Sequence, residues 1–255
     1  MSRNYELLSQ IGKAQAAIER DVSPATTATQ EVLPEVSMPF SLQIEGAAKN
    51  EIARLVHRLF ILPSAEAPRR VAFVGPESGV GNSWLCAHAG AVLASQVGGS
   101  VCLVDCNFRS PALYKLVGVE NNVGLADSLT RNGSIRRYTQ QLGRNLWMVS
   151  SGVMDENGEQ LLTSDRMRQR LSELSAEFDY VLMDVASLDS CNHGIIFGGT
   201  CDGVVLVFKA NSSRRATARQ ALQQFQAVNI RVLGAVLNQR TFPIPDRIYK
   251  LLHTV

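Results

Sequence analysis

Gly75-Pro76-Glu77-Ser78-Gly79-Val80-Gly81-Asn82-Ser83 is the stretch on which the fold turns. Before it stands a short apolar run, Arg70–Gly75, that reads as a strand. After it, residues 83–97 read as an apolar helix. Glycines let the backbone curl so that its N–H groups point inward, and a helix N-terminus adds partial positive charge. A strand-to-helix turn of this kind is the context that a phosphate-binding loop requires. Tight turns between strands and helices also use glycine for structural reasons alone. Ser83 stands where a hydroxyl would ligand Mg²⁺. The position before it, which in a phosphate loop carries a lysine, holds Asn82.

Two further stretches match the loop. Val101–Arg109 is an apolar strand that runs into Asp105 and Asn107, and Tyr180–Asp184 is another strand that ends on a carboxylate. In a parallel sheet the C-terminal strand ends converge on one edge, where ligands bind. Asp105 and Asp184 would lie there beside the loop, and Mg²⁺ is held through one or two carboxylates plus phosphates. Either aspartate alone serves equally well as a helix cap or turn residue.

Outward from these motifs, helices are expected over 46–60, 111–117, 123–130, 158–178, near 190–198, over 213–228 and 245–252. Further strands are expected at Leu146–Ser150, Gly203–Lys209 and Arg231–Leu237. Strands alternating with helices predict an α/β, three-layer fold with a mostly parallel central sheet flanked by helices. Residues 4–20 read as an amphipathic helix, and 21–45, with Pro24, Pro34 and Pro39, as a flexible linker. The chain thus divides into 1–45 and a domain over 46–255.

The 255 residues carry a net charge of +2, too mild to argue for nucleic acid. No apolar run approaches a membrane span, and the first residues lack a secretory h-region. Five cysteines without a CxxC pattern read as reduced thiols, so a cytoplasmic location is expected. Arg214, Arg215 and Arg219 read as a solvated helix face rather than a nucleic-acid site. His88, Trp84 and Trp147 read as packing residues.

In combination the motifs resemble the cytoplasmic domain of bacterial tyrosine kinases, the capsular exopolysaccharide family, which belongs with MinD- and ParA-type proteins to the deviant Walker A P-loop NTPases. The family's loop, P-G-E-G-K-[ST], falls on Ser78 to Ser83. Its D-x-D-x-R falls on Asp105, Asn107 and Arg109, followed by Pro111. Its D-x-x-P falls on Asp184 and Ser187. Gly118, Gly124–Asp127, Asp202–Val207 and Gly234–Asn238 are similar to further family segments. The resemblance spans about residues 46–250. It implies that ATP or ADP is held by Gly79, Val80, Gly81, Asn82, Ser83 and, at the adenine, Asn238. It implies Mg²⁺ on Ser83, Asp105 and Asp184, with Asp105 and Asp184 catalytic if the chain is active. Glu51, Arg54 and His57 resemble an E-x-x-R-x-x-R helix that builds an oligomer in the family; as residues alone they read equally as a solvated face with one Glu–Arg pair. A membrane polysaccharide co-polymerase is the partner implied, which would place the chain at the inner face of the cell membrane.

The departures matter more. Asn82 replaces the lysine, Asn107 the second acid and Ser187 a proline. Where the family carries a C-terminal tyrosine cluster, the last stretch has only Tyr249. Losing a charged hydrogen bond to phosphate costs about 1.5–3 kcal/mol, and losing such a donor in the transition state costs about 10²–10³ in rate. The expectation is a degenerate copy that binds nucleotide weakly or not at all and acts through a partner. An active autokinase, with charge supplied by Arg69, Arg70, Arg109 or a neighbouring subunit, and a ParA/MinD-like positioning ATPase remain as alternatives.

Overall fold

The structure, a computed structural model, describes residues 42–62, 67–154 and 158–240. The expected helices at 4–20 and 245–252, Tyr249 and all of the 21–45 stretch but its last four residues lie outside the described residues.

The chain enters through α1 (Gly46–Val56), which ends in a π-turn at His57–Ile61. Then follow β1 (Arg70–Val74), α2 (Asn82–Gln96), β2 (Val101–Cys106), α3 (Leu113–Val117), α4 (Leu125–Thr130), β3 (Thr139–Gly143) and β4 (Leu146–Val149). The last elements are α5 (Asp165–Glu177), β5 (Tyr180–Val185), α6 (His193–Gly198), β6 (Gly203–Lys209), α7 (Arg215–Ala227) and β7 (Val232–Asn238). One seven-stranded sheet runs in the order β3-β4-β2-β5-β1-β6-β7. Every pairing is parallel except β3 with β4.

The apolar runs seen in the sequence are the central strands. β2 is buried at every position, and β5 at all but its first. Both faces are covered, which explains why these strands read as continuous rather than alternating. On one face Ile52 and Val56 of α1, Leu85, Ala89 and Leu93 of α2 and Leu113 of α3 pack on Val71, Phe73 and Leu103. On the other face Leu125, Leu171, Leu174, Phe197 and Phe225 pack on Val104, Met183 and Leu206. Leu42, at the end of the expected linker, is buried in the first of these cores.

β1 lies between β5 and β6, with Arg70 beside Val181 and Val71 beside Gly203. The connection from β1 runs to β2 on one side, while the connection from β5 crosses to β6 on the other, so the loop after β1 opens at a switch point of the sheet. In the β2–β5 register Asp105 faces Asp184 directly.

Two expectations need correction. β3 was not anticipated: Thr139-Gln140-Gln141-Leu142-Gly143 lacks an apolar run because it is an antiparallel edge strand. The long helix expected over 158–178 is instead a 3₁₀ turn at Gly158–Thr163 followed by α5. Ser164 interrupts it, its hydroxyl accepting from the N–H of Met167 at 3.2 Å as an N-cap. Ser164→Ala is expected to cost about 1 kcal/mol and lower Tm by about 2–4 °C in a thermal melt. Among the described residues, no helix is long and apolar enough to cross a membrane.

Candidate functional site

The loop after β1 takes the shape that its glycines permit. Gly79 and Gly81 adopt φ of 78° and 84°, the left-handed region that side chains disfavour. A Cβ at Gly81 would also collide with the Asn238 amide, whereas the space over Gly79 is open. Among the described residues, the N–H groups of Gly79, Val80 and Gly81 make no hydrogen bond. They stand at the N-terminus of α2, a position from which backbone N–H groups can meet an anion.

Asn82 does not face those N–H groups. Its amide Nδ2 turns down into the sheet and reaches Phe73 O at 2.7 Å, Asp184 Oδ1 at 2.7 Å and Val185 O at 3.1 Å. The residue at the lysine position therefore ties β1 to β5 beneath the loop. It has no side-chain donor left over for a phosphate. Asn82 Oδ1 and Asp184 Oδ2 are buried without a hydrogen-bond partner.

Asp105 and Asp184 come together as expected, both almost fully buried. Burial is the main force on each. It pushes Asp184 up to about 7, against the pull of the Ser83 hydroxyl and the Asn82 amide. It also pushes Asp105 well above the usual carboxylate range. The neighbouring Asp184 adds to that push, and the N–H groups of Asn107 and Leu113 oppose it. Asp105 also has the capping role: its oxygens accept from Asn107 N at 3.0 Å and from Leu113 N, the first residue of α3, at 3.2 Å. Asn107 in turn accepts from Ser110 N at 3.2 Å, so it works as a turn residue.

Asn238 reaches the loop from the end of β7. Its amide donates to Val80 O at 2.9 Å, and Gln239 donates to Gly79 O at 3.2 Å. Of the arginines weighed as substitutes for the lysine, Arg69 and Arg70 lie elsewhere, and Arg109 reaches only the outer rim of the loop through Ser190. The backbone N–H groups of Arg69 and Arg70 bind Asp202 Oδ2 at the start of β1, the sheet edge opposite the loop. Arg109 binds Glu159 at 2.7 Å and Ser190 O at 2.9 Å. Glu51 and Arg54 pair at 2.9 Å on the exposed face of α1, with His57 just beyond. An exposed pair like this contributes little to stability.

Sequence reasoning missed the rim of the loop. Ser78 Oγ meets Ser187 Oγ at 2.9 Å and Ser190 Oγ at 3.2 Å, while Ser78 N donates to Asp189 Oδ2 at 3.2 Å. A signal was available: Ser78 and Ser187 both stand where the resembled motifs have proline. His88 is buried, and its ring is stacked on Trp84 at 4.1 Å; Trp147 packs on Phe178.

No family model matches the chain. It is 29% identical over 169 residues, 66% of its length, to a putative tyrosine-protein kinase EpsB of Ralstonia nicotianae. It is 29% identical over 161 residues, 63% of its length, to the tyrosine-protein kinase YwqD of Bacillus subtilis. These matches span 22% of EpsB and 68% of YwqD. Among solved structures, the chimerical protein CapA2B2 superposes with a TM-score of 0.73 at 19% identity, covering 82% of this chain and 96% of that one. A ParA family ATPase of Chlorobium tepidum gives 0.59, and MinD of Pyrococcus horikoshii, solved with Mg-ADP, gives 0.57. The chain is a homologue of the bacterial tyrosine-protein kinases, on the P-loop NTPase fold that MinD and ParA proteins share.

Proposed function

We propose that this chain keeps the frame of a nucleotide pocket, has lost most of its phosphoryl-transfer chemistry, and acts by holding a partner in bacterial exopolysaccharide synthesis or export. The observation that carries the reading is the inward turn of Asn82, whose amide is committed to Phe73, Asp184 and Val185. Phosphoryl transfer relies almost wholly on positioning and charge stabilisation, so a missing cation costs it more than it costs binding.

The residues present fit the ligand unequally. The free N–H groups of Gly79, Val80 and Gly81 suit phosphate oxygens. The Ser83 hydroxyl, Asp105 and the unpartnered Asp184 Oδ2 suit Mg²⁺. When bound, that ion would neutralise charge on the phosphates. The chain's own task at that position is to release the proton that burial favours on Asp184. Weak binding of ADP or ATP follows from the cradle, and slow or absent turnover follows from Asn82.

The face of α1 that carries Glu51, Arg54 and His57 is the surface for self-association. Beside it Leu62 stands 69% exposed. A membrane polysaccharide co-polymerase is the partner proposed, supported by the likeness to tyrosine kinases, and the cytoplasmic face of the membrane is the location proposed with it.

Purified full chain with Mg²⁺ and radiolabelled ATP tests the reading. No phosphotyrosine above background is expected. Phosphotyrosine that survives Asn82→Ala and disappears with Asp105→Ala would replace this reading with an active autokinase.

A further inference from the structure

The rim of the loop holds a carboxylate that a nucleotide pocket has no use for. Asp189 lies just past β5, on a segment fastened along the start of the loop. Leu188 N donates to Gly75 O at 3.0 Å and Asp189 N to Pro76 O at 3.2 Å. Next comes the contact from Ser78 N to Asp189 Oδ2 at 3.2 Å. Proline at 78 could not make it, having no N–H. The other oxygen, Oδ1, accepts from Ser187 Oγ at 2.5 Å and Ser190 Oγ at 3.1 Å. The three serine hydroxyls also meet one another, at 2.9–3.2 Å.

A phosphate loop works by offering its N–H groups and the positive end of a helix to an incoming anion. In this chain an anion of its own is already bound to the loop, at the N–H of Ser78, next to the open N–H groups of Gly79, Val80 and Gly81. Partial burial alone would raise Asp189. The donors from Ser187, Ser78 and Ser190 outweigh it and hold the carboxyl below its usual range, so it is charged at neutral pH.

We propose that Asp189, clasped by Ser78, Ser187 and Ser190, is a built-in competitor of nucleotide phosphates at this loop. It occupies one N–H and sets a negative charge at the mouth. Tight binding then requires segment 187–190 to lift from the loop, and whatever lifts it opens the site. This rests on the reading of the loop as a nucleotide site.

The test titrates the full chain with Mg-ADP and with pyrophosphate, followed by calorimetry and by the fluorescence of Trp84, the residue after Ser83. Asp189→Ala is expected to bind about tenfold tighter than the wild type, the equivalent of one charge-assisted contact. Asp189→Asn keeps an acceptor for Ser78 N and removes the charge, so it should fall between the two. The gain should shrink as salt rises from about 0.05 to about 0.5 M. Asn82→Lys serves as the check on the loop itself. If it binds ADP while neither Asp189 variant gains over the wild type, Asp189 is a structural tie and the proposal falls. If none of the variants binds, Asn82→Lys included, the loop is not a nucleotide site and the reading beneath the proposal falls with it. Asp189 is exposed, so both substitutions should leave the far-ultraviolet circular dichroism unchanged.

Discussion

Asn82→Lys is expected to tighten the binding of Mg-ADP by about 10- to 100-fold. A hydrogen bond from a cation to phosphate is worth about 1.5–3 kcal/mol, and each 1.4 kcal/mol is a factor of ten. The asparagine amide is too short to serve the cradle and the sheet together, and it serves the sheet through Phe73 O, Val185 O and Asp184 Oδ1. A lysine ammonium has three donors on a longer stem. It can keep contact with Asp184 while it turns toward an arriving phosphate. Calorimetric titration of the two proteins measures the gain. An affinity within twofold of the wild type, in a variant that melts normally, would show that the pocket has closed for reasons beyond this residue. Full kinase activity is not expected from the single change, because Asn107 and the Asp189 clasp remain.

Asp184→Asn is expected to remove a pH dependence that the wild type shows. A carboxyl raised from 3.8 to about 7 in the folded state holds a proton that the unfolded chain has released between those values. The folded state binds more protons there, so stability falls as pH rises, by at most about 1.4 kcal/mol per pH unit. The part that comes from Asp184 is complete below the unfolded value and has gone above about pH 7. Asparagine cannot ionise and keeps the size of the side chain. The margin by which its Tm exceeds that of the wild type should be at least about 5 °C wider at pH 8 than at pH 5. Mg²⁺ should raise the wild-type Tm at pH 8 and leave the variant's unmoved, because the ion takes over the proton's role against Asp105 and Asp184. A wild-type Tm that stays level from pH 5 to pH 8 would contradict the protonated pair.

The strands that carry the site were legible because they are buried on both faces. Val101–Val104 and Tyr180–Asp184 announced themselves as apolar runs that end on acids, and the sheet brings Asp105 opposite Asp184 as their positions required. β3 gave no such signal, because an edge strand with glutamines has no period to detect. Within the site, the glycines foretold the backbone of the loop, since positive φ is a local demand that only a few residues meet. The direction of Asn82 was not foretold. It depends on three acceptors contributed by β1 and β5, a tertiary fact with no local trace. Asp105 takes up the helix-cap reading at α3, and the sheet also sets it opposite Asp184. The serines at 78 and 187 were each visible as departures from the motif, but only the fold shows their hydroxyls touching.

The seating of β1 between β5 and β6 has a consequence for how the molecule comes into being. Arg70 finds its partner Val181 roughly 110 residues later, and the β6 partners come later still. During synthesis β1 emerges from the ribosome long before either neighbour exists. Its apolar residues must wait unpaired, and a parallel sheet closed over such a distance forms slowly. α2 can collapse onto β2 early, but the loop that joins β1 to α2 acquires its shape only when the β1–β5 pairing closes. The geometry of the loop is then expected among the last features of the protein to mature, so that a nascent chain halted before β5 has the loop's sequence without its shape.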